Sequence, residues 1–136
     1  MEELVYFFLV SFLITVSTLG YGLLFFKLAN YEFENVNLGL AGLMGLFSLS
    51  IIASYTHIII AHGFIHNIII IIFGLFLLFI LSKKFNFNLN NNIKHLFFIF
   101  CLMFLCLIIS KTNEDFPYYH LPNSLQFAEQ KLQFGL

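Results

Sequence analysis

The run FIHNIIIIIFGLFLLFIL, residues 64–81, decides the fold. It carries no charged residue and is closed by Lys83 and Lys84. A helix of this length reaches roughly 27 Å at about 1.5 Å per residue, close to the hydrocarbon thickness of a bilayer. In lipid the backbone must satisfy its own hydrogen bonds, which a helix does and an isolated strand does not. Working outward, three similar runs flank it. Leu38 to about Ala61 precedes it across a hairpin at His62-Gly63, Leu4 to Phe26 comes earlier and ends at Lys27, and Ile93 to Ile109 follows and ends at Lys111. The sequence therefore predicts an all-α polytopic membrane protein. Its four transmembrane helices span about 4–26, 38–61, 64–82 and 93–110, within a membrane region of 1–110. A tail over 111–136 ends in a short interfacial amphipathic helix.

Composition agrees. Of 136 residues, 60% are hydrophobic and 10% charged, against about a quarter charged in soluble domains. The net charge of -1 supplies no basic field for nucleic acid. Glu2 and Glu3 replace the basic residues that open a signal peptide, so the first run reads as a retained span. Cys101 and Cys106 lie inside an apolar run and point about 140° apart on a helix, which suits packing thiols.

Lysine placement sets the expected orientation. Lys27, Lys83, Lys84 and Lys94 fall at one end, which reads as cytoplasmic. The amino terminus, the His62 hairpin and the tail then face outside, the periplasm if the membrane is a bacterial inner membrane. Asn86 to Asn92 reads as a loop. Small residues mark helix contacts: Ser11, Thr15, Thr18 and Gly22 in the first helix, and Gly39, Gly42, Gly45 and Ser48 in the second, with Ala41 and Gly45 as a small-xxx-small pair. The third helix offers only Asn67 and Gly74 and reads as the most lipid-exposed. No Asp, Glu, Lys or Arg lies in the core of a span, which argues against a self-contained pump or transporter.

His57, His62 and His66 cluster at the hairpin. His62 and His66, four apart, share a face if that stretch is helical, so haem or metal binding is a third reading of the chain. Interfacial histidine is the commoner role.

The tail changes character sharply. Both prolines, Pro117 and Pro122, lie in it, and each should hold its predecessor, Phe116 or Leu121, extended. Tyr118 and Tyr119 suit the headgroup level. Asn123 or Ser124 can cap a helix with Leu125, Ala128 and Leu132 on one face, and Gly135 would end it.

The stretch Glu114-Asp115-Phe116-Pro117-Tyr118-Tyr119-His120-Leu121-Pro122, with the helix after it, resembles the first outer loop of membrane glycosyltransferases of the GT-C type, which use polyprenyl-phosphate sugars. It also resembles the amino-terminal part of large bacterial membrane proteins with a D-x-P-Y-Y-H-like loop. The resemblance implies Asp115 as catalytic base on an acceptor hydroxyl with Glu114 beside it, the pair able to hold a divalent cation. It implies His120, Tyr118 and Tyr119 as supporting groups. Such enzymes are far longer, so the expectation is an amino-terminal fragment, inactive alone. The alternative is a small non-enzymatic membrane protein or subunit that packs with itself or with the transmembrane helices of a larger membrane partner.

Overall fold

A computed structural model describes residues 2–31, 36–85, 87–109 and 116–131. Among them every regular element is helical: α1 (Glu2–Leu28), α2 (Leu38–Ile59), α3 (Phe64–Lys84), α4 (Leu89–Ile109), a π-helical turn (Phe116–His120) and α5 (Leu121–Glu129). The first four are long and apolar enough to cross a membrane, with mean hydropathies of 2.0, 1.7, 2.8 and 2.3. The chain is an integral membrane protein on these grounds.

Local chemistry sets the helix ends. After α1, Asn30 adopts φ 50°, Tyr31 N–H donates to the Phe26 carbonyl at 3.0 Å, and Asn30 N–H donates to that of Lys27 at 3.3 Å. This is a Schellman closure with asparagine where glycine is usual. Asn37 caps α2, its Oδ1 accepting from Gly39 N–H at 2.8 Å and Leu40 N–H at 3.4 Å. Asn88 does the same for α4, accepting from Asn91 N–H at 3.1 Å. Asn90, Asn91 and Asn92, expected as loop, thus lie in the first turn of α4, which Asn88 caps by accepting from an N–H that a helix start leaves free.

α1 is the centre of the bundle: α2, α3 and α4 pack on it and far less on one another. Residues 16–23 of α1 are buried on every side. Two faces of α1 allow backbone contact. On the α2 face, a Cβ at Gly22 would strike the main chain of Ala41, and one at Gly45 would strike that of Thr18. On the α3 face, a Cβ at Gly20 would lie 2.8 Å from Leu78 N and closer still to the Gly74 carbonyl. One at Gly74 would lie 2.7 Å from both the Ser17 carbonyl oxygen and Ser17 Oγ. Helices in lipid associate where small residues let backbones approach, and α1 uses this twice.

The Ala41–Gly45 pair makes the α2 contact, and of the Gly39–Ser48 stripe Gly45 alone shows a main-chain approach to α1 among the described glycines. Gly39 is exposed and Gly42 meets only Leu19 Cδ2, at 3.9 Å. α3 is also not the most exposed helix, since Gly74, Leu78, Leu81 and Ser82 are buried. That place belongs to α4, which buries only Phe104. α4 docks on the first half of α1 through rings: Phe8 meets Phe104 at 4.9 Å and Phe100 at 5.2 Å, and Phe12 meets Phe100 at 5.3 Å. Edge-on ring pairs of this kind add modestly to burial.

Several serine and threonine hydroxyls bond within their own helix. Thr15, Thr18, Ser48, Ser50 and Ser54 each donate to the carbonyl four residues earlier. A side-chain bond between α1 and α3 comes from Tyr21, 1% exposed, whose hydroxyl donates to the Ile70 carbonyl at 2.7 Å.

Candidate functional site: a histidine stack under the carboxy-terminal helix

α2 ends at Ile59, and residues 60–63 turn the chain into α3. The turn brings three imidazoles together: His57 near the end of α2, His62 in the turn and His66 in the first helical turn of α3. The His57 and His62 ring centroids lie 4.6 Å apart with planes at 50°. Those of His62 and His66 lie 4.4 Å apart, stacked with planes 8° from parallel. His57 is buried, and Asn67 Nδ2 fixes the turn by donating to the His62 carbonyl at 3.1 Å.

α5 returns to this hairpin. His62 N–H donates to the Phe127 carbonyl at 3.1 Å. His57 Nε2 lies 2.9 Å from the Gln130 carbonyl oxygen, and the Phe127 ring stands edge-on to His57 at 5.1 Å. The helix itself differs from the sequence expectation. Residues 116–120 form a π-helical turn, and Leu121 opens α5 with Pro122 behind it. Proline fits there because a first helical turn needs no N–H partner. Ser124 is no cap: its Oγ donates back to the His120 carbonyl at 2.7 Å.

Hydrogen-bond bookkeeping fixes where protons sit. The Gln130 carbonyl can only accept, so His57 Nε2 carries a hydrogen. Thr56 Oγ1 spends its own hydrogen on the Ile52 carbonyl at 2.8 Å. It also lies 3.0 Å from His62 Nε2. His66 Nδ1 is buried with no partner. Desolvation holds the His62 pKa below the usual histidine value, helped by His66 and His57 nearby and opposed by the Ala53 carbonyl.

The stack does not look like a metal centre. Lone pairs on parallel rings run side by side and do not converge on one ion. Among the described residues no group of three or more His, Cys, Asp or Glu is placed to hold a metal. His62 and His66 are brought together, but as stacked rings.

Of the tail residues singled out by sequence, Glu114 and Asp115 lie outside the described residues, as do Leu132 and Gly135. Tyr118, Tyr119 and His120 stand exposed, the tyrosines at 76% and 65%. The link from His57 to Gln130 had no sequence signal, because a carbonyl acceptor can belong to any residue. Beside the hairpin, an apolar groove of about 420 Å³ runs between α1 and α3, lined by Tyr6, Leu13, Phe64, Asn67, Ile68 and Ile72.

One family model, described as a domain of unknown function (DUF8201), matches residues 4–123. The chain belongs to the DUF8201 family. The DUF8201 match takes in all four long helices, the histidine hairpin and the acidic-aromatic stretch, and stops inside α5 before Phe127 and Gln130. No curated protein and no solved structure matches the chain.

Proposed function

We propose that this chain is the amino-terminal membrane part of a GT-C-like glycosyltransferase that uses a lipid-phosphate-linked sugar. In this reading Asp115 is the base that takes the acceptor hydroxyl proton, and Glu114 is its neighbour. Tyr118, Tyr119 and His120 border the acceptor. The donor-site residues come from further polypeptide, so residues 1–136 alone do not catalyse transfer. The observation that supports the reading is the tether of the tail. The helix that follows the acidic-aromatic stretch is hydrogen-bonded to the α2–α3 hairpin through the Phe127 and Gln130 carbonyls. A base needs a fixed position relative to its substrate, and this tether ties α5, which follows Asp115 in the chain, to the bundle.

The test is Asp115→Asn in the full-length protein, with transfer of a radiolabelled polyprenyl-phosphate sugar as the readout. Transfer should fall by at least about 100-fold, the scale of a lost general base, with membrane insertion unchanged. Undiminished transfer in that variant removes Asp115 from the mechanism.

A further inference from the structure

We propose that the histidine stack is an acid-sensitive latch: with neutral rings it holds the α5 segment on the α2–α3 hairpin, and protonation of the stack releases it. This goes beyond glycosyl transfer and does not depend on it.

Ring spacing carries the inference. Centroids 4.6 and 4.4 Å apart leave no room for counter-ions between two imidazolium rings, and like charges this close repel strongly. The proton positions sharpen it. Nε2 of His57 already bears a hydrogen, so an added proton there must go to Nδ1. On His66 the buried Nδ1 lacks a partner, and a proton placed there would have no acceptor. Neutral rings stack within this hydrogen-bond pattern, whereas charging adjacent rings sets like charges 4.4 to 4.6 Å apart.

No compensating charge faces the stack among the described residues. Burial, then His66 from α3 and His57 from α2, disfavour the charged form of His62, and the Ala53 carbonyl favours it. Glu129 and Lys131 flank Gln130 on the α5 segment, are exposed, and offset one another in sign.

What opening breaks is specific. The bond from His62 N–H to the Phe127 carbonyl and the Phe127–His57 ring contact both run from the stack to α5. The bond from His57 Nε2 to Gln130 keeps its donor when the ring is charged, so release comes from repulsion within the stack. The sign follows from linkage: the docked state disfavours the charged form of His62, so the released state binds more protons. Docking is at full strength above the ordinary histidine value and is lost as pH falls through and below it.

The experiment uses the whole chain in lipid nanodiscs, with Cys101 and Cys106 replaced by serine. Spin labels go on Ser54→Cys and Gln126→Cys, both exposed positions on α2 and α5. Electron–electron distances are measured at about pH 7.5 and about pH 5, either side of the histidine range. One short distance is expected at the higher pH, lost at the lower and regained on return. The double variant His62→Gln/His66→Gln should keep the short distance at both. A short distance that persists at acid pH in the parent chain overturns the latch, as does an equal acid loss in the double variant. If the double variant is undocked at both pH values, an NMR titration of the parent imidazoles decides. A ring titrating below about 6.5 with the midpoint of the distance change supports the latch, and separate midpoints overturn it.

Discussion

A single methyl group on Gly45 probes the α1–α2 contact most directly. An added Cβ would lie 2.8 Å from the Thr18 carbonyl carbon, 2.9 Å from Thr18 Cγ2, and closer still to the carbonyl oxygen. Main-chain atoms cannot rotate aside, so the two helices must part. Overpacking costs about 1–3 kcal/mol, and a clash with backbone places Gly45→Ala near the top of that range. Alanine returns up to about 1 kcal/mol in helix propensity, leaving a net loss of about 2 kcal/mol, or roughly 30-fold in the folding equilibrium. Gly42, one turn earlier, is the internal control. Its added Cβ would meet only Leu19 Cδ2, at an ordinary 3.9 Å, so Gly42→Ala should be unchanged or slightly stabilised. Unfolding by SDS titration in detergent micelles, followed by far-UV circular dichroism, should separate the two variants by about 2–3 kcal/mol. Midpoints that agree to within about 0.5 kcal/mol, the scatter of ordinary surface substitutions, would refute the packing argument.

Two further outcomes are expected. Tyr21→Phe removes the hydroxyl bond to the Ile70 carbonyl and should cost about 1 kcal/mol in the same assay; an unchanged midpoint would mean that the bond contributes nothing net. Cysteine at Asn91 should resist a membrane-impermeant thiol reagent in whole cells while cysteine at Ser124 reacts, and the reverse pattern would invert the orientation read from the lysines.

The membrane fold was legible because hydropathy is a local property, and the four spans follow from runs such as residues 64–81. Partner assignment was legible only in part. Ala41 and Gly45 stood out as a small pair, but Gly20 and Ser17 did not, since the sequence shows which positions are small and not which neighbour they meet. α3 looked lipid-facing because isoleucine suits both lipid and a helix interface. Gly74, which meets Ser17 and Gly20 of α1, seats it there. The phenylalanines of α4 were hidden for a related reason, since Phe97 and Phe100 face Phe8 and Phe12 only once the helices are placed. At the tail, the proline rule predicted extended backbone at Leu121, and the first-turn tolerance for proline won instead. The histidines were visible as a cluster, whereas their tie to the tail runs through backbone carbonyls that no residue type announces.

The central place of α1 bears on how the bundle assembles. During synthesis α1 leaves the ribosome before α2, α3 and α4, so each later helix enters a membrane that already holds its docking partner. No helix need wait for one not yet made, and none depends on a neighbour other than α1 for its main contact. The same arrangement concentrates fragility: damage to residues 16–23 would strip α2 and α3 of their shared support at once, while a lesion in α4 would leave the other three helices assembled.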